Sequence, residues 1–346
     1  MTMPLLTAPL GIREAALADP GEAARIDAFV RDTEGATPFH LTGWSRAVER
    51  GCRQRARFLV AERADGTLAG ILPLTEMRSL LFGKALVSTG FGVGGGVLGE
   101  GVEALAAGAW DLATRLGCPD VDLRGGPAPA SWTIDDTTYV GFVRALGADA
   151  TADLAAIPRK QRAEVRRSLG LDLTVETGRD PATHHRVYGE SVRNLGTPVF
   201  PAGLFRAVLD ELDADILTVR HAGEPVASVL SLYFGSTVFP YWGGGTAAAR
   251  GLRANDRMYL ALMSHARDRG CTRFDFGRSK TGTGAAAFKK NWGFDPVPLA
   301  YARRHEGEAR SVNPQNAKYR MMVAAWKRLP LPIARVAGPW LSRGLG

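Results

Sequence analysis

The sequence predicts an α/β protein built from two copies of one domain. The stretch RLGCPDVDLRGG (115–126) aligns with DRGCTRFDFGRS (268–279), which pairs Gly117 with Gly270 and Asp122 with Asp275 one domain length further along the chain. Hairpin and helix patterns precede both stretches in the same order. A repeat of this length is too long for a solenoid, whose units span roughly 20–50 residues. A short match can arise by chance, so the parallel order of elements carries the prediction.

Each copy begins with a hairpin pattern. FLVAE, RADG and TLAGILPL supply two apolar strands and a turn in the first copy, and ILTVR, HAG and EPVASVLSL do so in the second. The helix patterns ALAAGAWDLATRLG and MYLALMSHARDRG each end in basic residues and a glycine that can adopt a left-handed cap. Each copy is therefore predicted to run as hairpin, apolar strand, glycine-rich turn, helix and strand.

Three regions follow from this repeat. We assign residues 1–152 to an N-terminal domain, residues 153–310 to a C-terminal domain and residues 311–346 to an amphipathic tail. The second domain opens with a predicted basic helix in ADLAAIPRKQRAEVRRSLG, where Pro158 suits the first turn. The cations of this linker helix form either a solvated face or a contact with phosphates.

The tail carries apolar residues at helical spacing among lysines and arginines, namely Tyr319, Met322, Val323 and Trp326. Prolines, apolar residues and two more arginines follow in LPLPIARVAGPWLSRGLG. Two interpretations remain open: the stretch 318–346 lies on the inner membrane as a peripheral amphipathic segment, or it packs against the second domain.

The composition bounds the partners and the compartment. A formal charge of +8 makes RNA, a nucleotide-linked precursor or an acidic membrane face plausible partners. The N-terminus lacks a basic leader and the sequence has no run of ~18 apolar residues, so we expect a cytoplasmic protein. The three cysteines stand far apart, which suits neither a zinc site nor a disulfide framework.

Several familiar motifs are absent or misleading. GFGVGGGVLG (90–99) matches a dinucleotide-binding pattern twice, but so glycine-dense a run produces such matches easily, and a hairpin precedes it. Asp275-Phe276-Gly277 has no accompanying kinase motifs, and the sequence contains no G-x-S-x-G or H-E-x-x-H. The six histidines show no ligand spacing apart from an adjacent pair, so we predict no metal site.

Three stretches carry a resemblance to a known family. FDFGRSKTGTGAAAFKKNWGF (274–294), RNLGTPVFP (193–201) and WKRLPLPIA in the tail resemble the FemA/FemB/FemX aminoacyltransferases, in particular the branch associated with exosortase (PEP-CTERM) systems. The resemblance covers nearly the whole chain. It implies two tandem GNAT-like domains with mixed sheets.

The resemblance also implies a reaction. In characterised members of the family, an amino acid passes from aminoacyl-tRNA to a side-chain amine of a peptidoglycan precursor. For this chain we expect an amine of a small-molecule or lipid-linked anionic acceptor related to the cell envelope or to exopolysaccharide, no tightly bound cofactor, and a monomer or homodimer. The ester is already activated, so the enzyme mainly aligns donor and amine and stabilises the oxyanion.

The family's phenylalanine–lysine pair falls on Phe288 and Lys289. Lys289 is therefore our candidate for oxyanion stabilisation, although lysines in a last helical turn are ordinary without the resemblance. Asp275 either takes the proton of the amine or merely caps the following turn. Arg193 beside Tyr188 would grip the anionic acceptor. The remaining candidate substrate contacts are Arg278, Lys280, Lys290 and Trp242 in the second copy and Trp44 and Phe91 in the first.

The sequence leaves two classes of donor open, aminoacyl-tRNA and acyl-CoA. Ordinary GNAT acetyltransferases hold the coenzyme A pyrophosphate on a glycine-rich turn at a helix start. The matching stretch ARGLRAND (249–256) has Arg253 and Asn255 where those glycines are expected, which disfavours coenzyme A. Arg250, Arg253 and Asn255 are our candidate donor contacts. The alternatives are an N-acyltransferase that uses acyl-CoA on an amino sugar or peptide, and a non-catalytic module that binds RNA or a glycan carrier.

Overall fold

The computed structural model describes residues 10–79, 83–307 and 317–344, which fold into two mixed β-sheets covered by helices. This confirms the predicted α/β fold class. The elements of the first half are β1 (Gly11–Glu14), α1 (Pro20–Asp32), α2 (Thr42–Cys52), β2 (Arg55–Glu62), β3 (Leu68–Ser79), β4 (Gly83–Ser88), β5 (Leu98–Gly99), α3 (Val102–Leu116), β6 (Asp120–Arg124), β7 (Thr133–Asp135) and β8 (Tyr139–Ala145).

The second half repeats this order and adds the tail. Its elements are α4 (Ala150–Ala156), α5 (Arg159–Leu169), β9 (Thr174–Gly178), α6 (Pro181–Leu195), α7 (Ala202–Glu211), β10 (Ala214–His221), β11 (Glu224–Phe234), β12 (Thr237–Gly245), α8 (Ala254–Asp268), β13 (Arg273–Lys280), α9 (Gly284–Asn291), β14 (Pro296–Pro298), β15 (Tyr301–His305), α10 (Ala317–Arg328) and α11 (Leu331–Ser342). Short 3₁₀ turns lie at Pro38–His40 and Ala247–Arg250.

The internal repeat is visible at the helix ends. Gly117 after α3 and Gly270 after α8 both take a positive φ, of 64° and 84°. The amides of Cys118 and Cys271 then reach back to the carbonyls of Ala113 and Ala266, at 2.9 Å in each copy. This is the left-handed helix ending expected from the paired Gly-Cys sequences. Both helices lead into a strand that runs parallel to an earlier strand of the same half, β4 with β6 and β12 with β13.

The two sheets exchange their last strands. The first sheet has the order β1-β2-β3-β4-β6-β15-β7, and the second has the order β14-β8-β13-β12-β11-β10-β9. Strand β8 of the first half therefore lies beside β13, and β15 of the second half lies beside β6. The domain boundary at residue 152 stays a prediction, because each sheet contains strands from both sides of it. The second proposed boundary, between residues 310 and 311, lies outside the described residues.

A shared apolar core joins the halves. Helices α2 and α7 cross at Gly51, where an added Cβ would stand 2.4 Å from the Cα of Leu204. Around this crossing, Trp44 from the first half packs with Phe205 and Trp242 from the second in one buried cluster. The relative position of the two halves is thus fixed by side-chain packing as well as by strand exchange.

The linker helix and the tail both pack on the second half. Helix α5 buries Val165 and Ser168 and lies against α8. Helices α10 and α11 contact α6, and Ser342 donates a hydrogen bond of 2.8 Å to the carbonyl of Val199. No helix within the described residues is long and apolar enough to cross a membrane.

Candidate active site

The first cavity opens where β12 and β13 separate. Only Thr237 and Val238 pair with β13, opposite Arg273 and Phe274, before the two parallel strands diverge. The gap holds a cavity of about 410 Å³, which we call the β12–β13 cavity. Its lining includes Phe91, Val93, Ser191, Leu195, Phe200, Trp242, Gly243, Gly244, Asn255, Tyr259, Arg278, Phe288 and Lys289.

Helix α9 carries Lys289 into this cavity. The hydroxyl of Thr283 accepts from the amide of Ala286 at the helix start, which fixes the helix against the end of β13. The Nζ of Lys289 donates to the carbonyls of Gly277, at 3.2 Å, and Arg278, at 3.0 Å. An ammonium has three N–H donors, so these two bonds leave one for a ligand.

Burial changes the acidity of Lys289. Its Nζ lies 5.4 Å from the ring centre of Phe142 and 5.6 Å from that of Phe276. Burial lowers its pKa to about 8, while the nearby carboxylate of Asp275 acts in the opposite direction. At neutral pH the group is therefore mainly an ammonium, held in a site with little water.

Arg278 stands where the exchanged strands meet. Its guanidinium lies 4.7 Å from the ring centre of Tyr139 in β8 and donates a hydrogen bond of 2.6 Å to the hydroxyl of Tyr301 in β15. Strand exchange brings both tyrosines to this point, and their rings lie 5.2 Å apart. The cation is thus held by two tyrosines while it lines the β12–β13 cavity.

A second cavity, of about 510 Å³, lies on the other side of β13. We call it the glycine-run cavity, because Val93, Gly94, Val97, Leu98 and Gly99 line it together with Thr37, Phe39, Gly125, Gly126, Phe239, Tyr241 and Leu299. Its charged side chains are the carboxylates of Glu34 and Asp275, and the described lining contains no lysine or arginine. The glycines allow close backbone approach here: an added Cβ at Gly96 would lie 1.8 Å from the carbonyl oxygen of Gly125.

Asp275 has the capping role considered from the sequence, and its role as a proton acceptor stays a prediction. One carboxylate oxygen accepts a hydrogen bond of 2.8 Å from the amide of Gly277, so it caps the turn. The same side chain lines the glycine-run cavity, and burial raises its pKa above the ordinary range of an aspartate. A proton acceptor in this position remains compatible with the geometry.

The two cavities adjoin each other. Val93, Tyr241 and Gly277 line both of them. The hydroxyl of Tyr241 donates to the carbonyl of Phe91, which ties the second half to the glycine run of the first. The residues 275–278 therefore present a carboxylate to one cavity and a cation to the other.

Several predicted residues lie where a ligand could touch them. Phe91, Trp242, Asn255, Arg278, Phe288 and Lys289 line the β12–β13 cavity, and Asp275 lines the glycine-run cavity. The Oδ1 atom of Asn255 is buried and has no hydrogen-bond partner among the described residues. It offers an acceptor to a ligand N–H group.

Other predicted residues line neither cavity, and their placement does not support substrate contact. Trp44 is fully buried and donates to the carbonyl of Gly90 at 3.1 Å. Tyr188 is half-buried, stacks on His184 and packs against the core. Arg193 donates to the carbonyl of Lys327 in the tail, at 3.0 Å, rather than facing an anionic acceptor.

The remaining four predicted residues also lie outside both cavities. Lys290 and Arg250 are exposed, and Lys280 lies at the end of β13. Arg253 caps the start of α8 with φ 50° and pairs with Glu164 of α5, at 2.5 Å. These roles stay predictions.

Sequence reasoning missed the glycine-run cavity and the two tyrosines of the β12–β13 gap. Tyr241 and Tyr259 belong to different elements and come to line one cavity only in the folded chain. His40 also lines the glycine-run cavity, where its Nδ1 accepts from the amide of Thr37 and burial lowers its pKa to about 4. The local signal that the sequence gave for these residues was the position of Tyr241 next to Trp242, which is a predicted substrate contact.

Comparison with known proteins gives the fold a family context. Residues 156–290, which lie in the second half, match the family model described as "Acetyltransferase (GNAT) domain". None of the curated proteins compared with the chain matches it.

Three solved structures are similar to this chain over most of its length, at low sequence identity. FemX is 16% identical with a TM-score of 0.61, over 81% of this chain and 95% of that one. The C-terminal domain (DUF2156) of a putative lysylphosphatidylglycerol synthetase from Agrobacterium fabrum is 15% identical with a TM-score of 0.55, over 84% and 93%. A tandem GNAT protein from the clavulanic acid biosynthesis pathway is 14% identical with a TM-score of 0.52, over 87% and 99%. These likenesses establish the tandem GNAT fold.

Proposed function

We propose that this protein transfers an aminoacyl group from aminoacyl-tRNA to an amine. The observation that supports the proposal is the opposite charge on the two faces of residues 275–278. The β12–β13 cavity, with Lys289 and Arg278, suits the donor carbonyl and its developing negative charge. The glycine-run cavity, with Glu34 and Asp275, suits an acceptor that arrives as an ammonium ion.

The chemistry requires few protein groups. The ammonium loses a proton to the carboxylate of Asp275, whose raised pKa makes it a better base than an ordinary aspartate. The free amine then attacks the ester carbonyl, and the ammonium of Lys289 stabilises the oxyanion of the tetrahedral adduct. Collapse of the adduct breaks the ester C–O bond, and the leaving oxygen of the tRNA takes up the proton that the attacking nitrogen loses. The new C–N bond is an amide.

The start of α8 favours aminoacyl-tRNA over coenzyme A as the donor. The linker helix α5 brings Glu164 to Arg253, and its Gln161 donates to Asp256 in the first turn of α8 at 2.6 Å. Burial and the nearby Glu164 raise the pKa of Asp256 to about 6. Two carboxylates at this helix start oppose the binding of a pyrophosphate there.

The GNAT family match favours a second candidate, transfer from an acyl-CoA thioester to an amino sugar or peptide. That reaction would use the same cation and the same carboxylate. A third candidate, a non-catalytic module that holds RNA or a glycan carrier, gives no turnover with either donor. The anionic, envelope-related acceptor and the exosortase association rest on the sequence resemblance alone.

Donor loss separates these candidates. The purified full chain is incubated with labelled aminoacyl-tRNAs or with acetyl-CoA, in each case with cell-envelope extract as the source of amines. We expect consumption of aminoacyl-tRNA with formation of a labelled amide, and no release of free coenzyme A above background. Release of coenzyme A alone would establish the second candidate. Tight RNA binding without turnover would establish the third.

A further inference from the structure

Five large apolar side chains are exposed on the tail and at the end of α6. These side chains are of the kind that soluble proteins ordinarily bury, and they belong to Leu195, Met321, Ile333, Val336 and Trp340. Val336 is 80% exposed and Trp340 is 51% exposed. We call these five residues the tail patch. A concentration of exposed apolar side chains in one region marks an interaction surface.

Helix α11 has two distinct faces. Ala334, Gly338 and Ser342 are buried against the chain around Val199. Ile333, Val336 and Trp340 recur at positions i, i+3 and i+7, on the opposite face. The exposed stripe is therefore a regular feature of a helix whose other side is anchored.

Hydrogen bonds hold both tail helices on the body of the protein. The indole of Trp326 in α10 donates to the carbonyl of Thr197 at 3.2 Å. The carbonyl of Arg343, just after α11, accepts from the side chain of Gln54 at 2.6 Å. The tail patch is thus presented by helices packed on the rest of the chain.

The charge of the tail identifies its partner. Residues 317–346 contain six cations and no aspartate or glutamate: Lys318, Arg320, Lys327, Arg328, Arg335 and Arg343. Aliphatic side chains and a tryptophan beside cations, without acids, match the interface of an anionic bilayer, where tryptophan lies at headgroup level. We propose that the tail patch docks this protein on an anionic lipid bilayer.

Docking would bring the β12–β13 cavity close to the lipid. Leu195 belongs to the tail patch and also lines that cavity, and Phe200 of the cavity follows Val199, on which α11 packs. A lipid-borne substrate could then enter from the membrane surface. This consequence rests on the proposed function, whereas docking itself does not.

Vesicle flotation tests the proposal on the full chain without any substrate. The vesicles contain phosphatidylcholine alone, or phosphatidylcholine with phosphatidylglycerol as the anionic lipid. We expect the protein to float with the anionic vesicles and to remain below with the neutral ones. Ile333→Glu and Val336→Glu should each lower the floated fraction at least about fivefold, because each places a negative charge in the interface. Val297→Glu is the matched control, since Val297 is 59% exposed in β14, outside the tail.

A second pair of variants tests the electrostatic part. Lys327→Glu with Arg328→Glu should lower binding about tenfold or more, whereas Arg115→Glu on exposed α3 surface should not. Circular dichroism and thermal midpoints verify folding of every variant.

The proposal is overturned if the wild-type chain stays below with both vesicles, if it floats equally with both, or if Val336→Glu floats like the wild type. Dissociation of a wild-type dimer by Val336→Glu, without flotation, would assign the patch to self-association instead. Loss of flotation with retained turnover on a soluble acceptor would separate docking from catalysis.

Discussion

Trp44 in α2 and Trp242 in β12 stack across the two halves of the protein, with ring centres 5.9 Å apart and planes inclined by 21°. Trp44 is completely buried, and its indole N–H binds the carbonyl of Gly90 at the start of the glycine run. Trp242 lines the β12–β13 cavity from the other side. This pair therefore connects the core between the halves to the β12–β13 cavity, through Trp242, and to the start of the glycine run, through Gly90.

Replacement of Trp44 should therefore destabilise the whole chain. We expect Trp44→Ala to lower the free energy of unfolding by about 3–5 kcal/mol, because it leaves a cavity and an unpaired carbonyl at Gly90. Trp44→Phe keeps most of the ring volume and should cost less. Chemical denaturation measures both, with Trp340→Ala on the exposed tail patch as the control. An equal cost at the two tryptophans would contradict the assigned core role.

The local features of the fold were predictable from the sequence. The hairpin patterns became β2–β3 and β10–β11, with a two-residue turn at Ala222 and Gly223, both of positive φ. The paired Gly-Cys stretches became equivalent helix ends. Each of these signals lies within a few consecutive residues, where backbone preference and alternation of apolar side chains decide the structure.

The exchange of β8 and β15 was not predictable in the same way. A strand pattern indicates that a segment is extended, but it does not indicate which strand pairs with it in the sheet. For β8 and β15 the neighbouring strand lies in the other half. For the same reason the sequence missed the position of Arg278 between Tyr139 and Tyr301. It also assigned Arg193 to an acceptor, whereas tertiary packing turns that side chain to the tail.

Removal of the Lys289 ammonium should reduce turnover much more than it reduces stability. We expect Lys289→Ala to lower kcat at least ~10-fold, since loss of one oxyanion donor typically costs ~10²–10³. Lys289→Met keeps the apolar stem against Phe142 and should lose as much activity with a smaller effect on the thermal midpoint. Steady-state rates with the active donor provide the measurement. Lys290→Ala is the matched control, because Lys290 is the exposed neighbour on the same helix. Equal rates for Lys289→Ala and the control would remove Lys289 from the mechanism.

The activity should fall at alkaline pH because Lys289 loses its proton. Its pKa in the folded protein is lowered to about 8, so the ammonium is present below that value and is lost as the pH rises through it. Lys289→Arg retains the charge throughout this range, because the guanidinium titrates far above it. Deprotonation of the acceptor amine affects both proteins alike. The ratio of Lys289→Arg activity to wild-type activity should therefore rise above about pH 8, and a ratio that stays constant from pH 7 to 9 would contradict the assignment.

Two buried histidines should make the fold sensitive to acid. Burial lowers the pKa of His184 to about 3 and that of His40 to about 4, below the unfolded value of 6.5. The neutral ring is favoured in the folded state, so this contribution is complete above about pH 6.5 and is lost as the pH falls towards 4. Between pH 7 and pH 5 each histidine should cost about 2 kcal/mol of unfolding free energy. Urea unfolding of the wild type and of His184→Gln at both pH values measures the difference. An acid loss as large in the variant as in the wild type would show that His184 does not contribute.

The exposed cations of α5 should contribute to binding of the tRNA donor. Arg159, Lys160 and Arg166 are exposed, whereas Arg162 donates to the carbonyl of Ile157 and Arg167 pairs with Glu164. Replacement of the first three by glutamine therefore leaves the contacts that hold the helix. We plot log affinity for aminoacyl-tRNA against log salt concentration. If all three side chains contact phosphates, the slope should decrease in magnitude by about 2, because each phosphate contact that is lost removes the release of roughly 0.7–0.9 of a counterion. Filter binding over a salt series measures this slope, with Arg115→Gln on α3 as the control. An unchanged slope would exclude tRNA at this helix. If the KM for acetyl-CoA as the active donor were also unchanged, the result would support the coenzyme A alternative, because a small thioester in the β12–β13 cavity does not need the surface of α5.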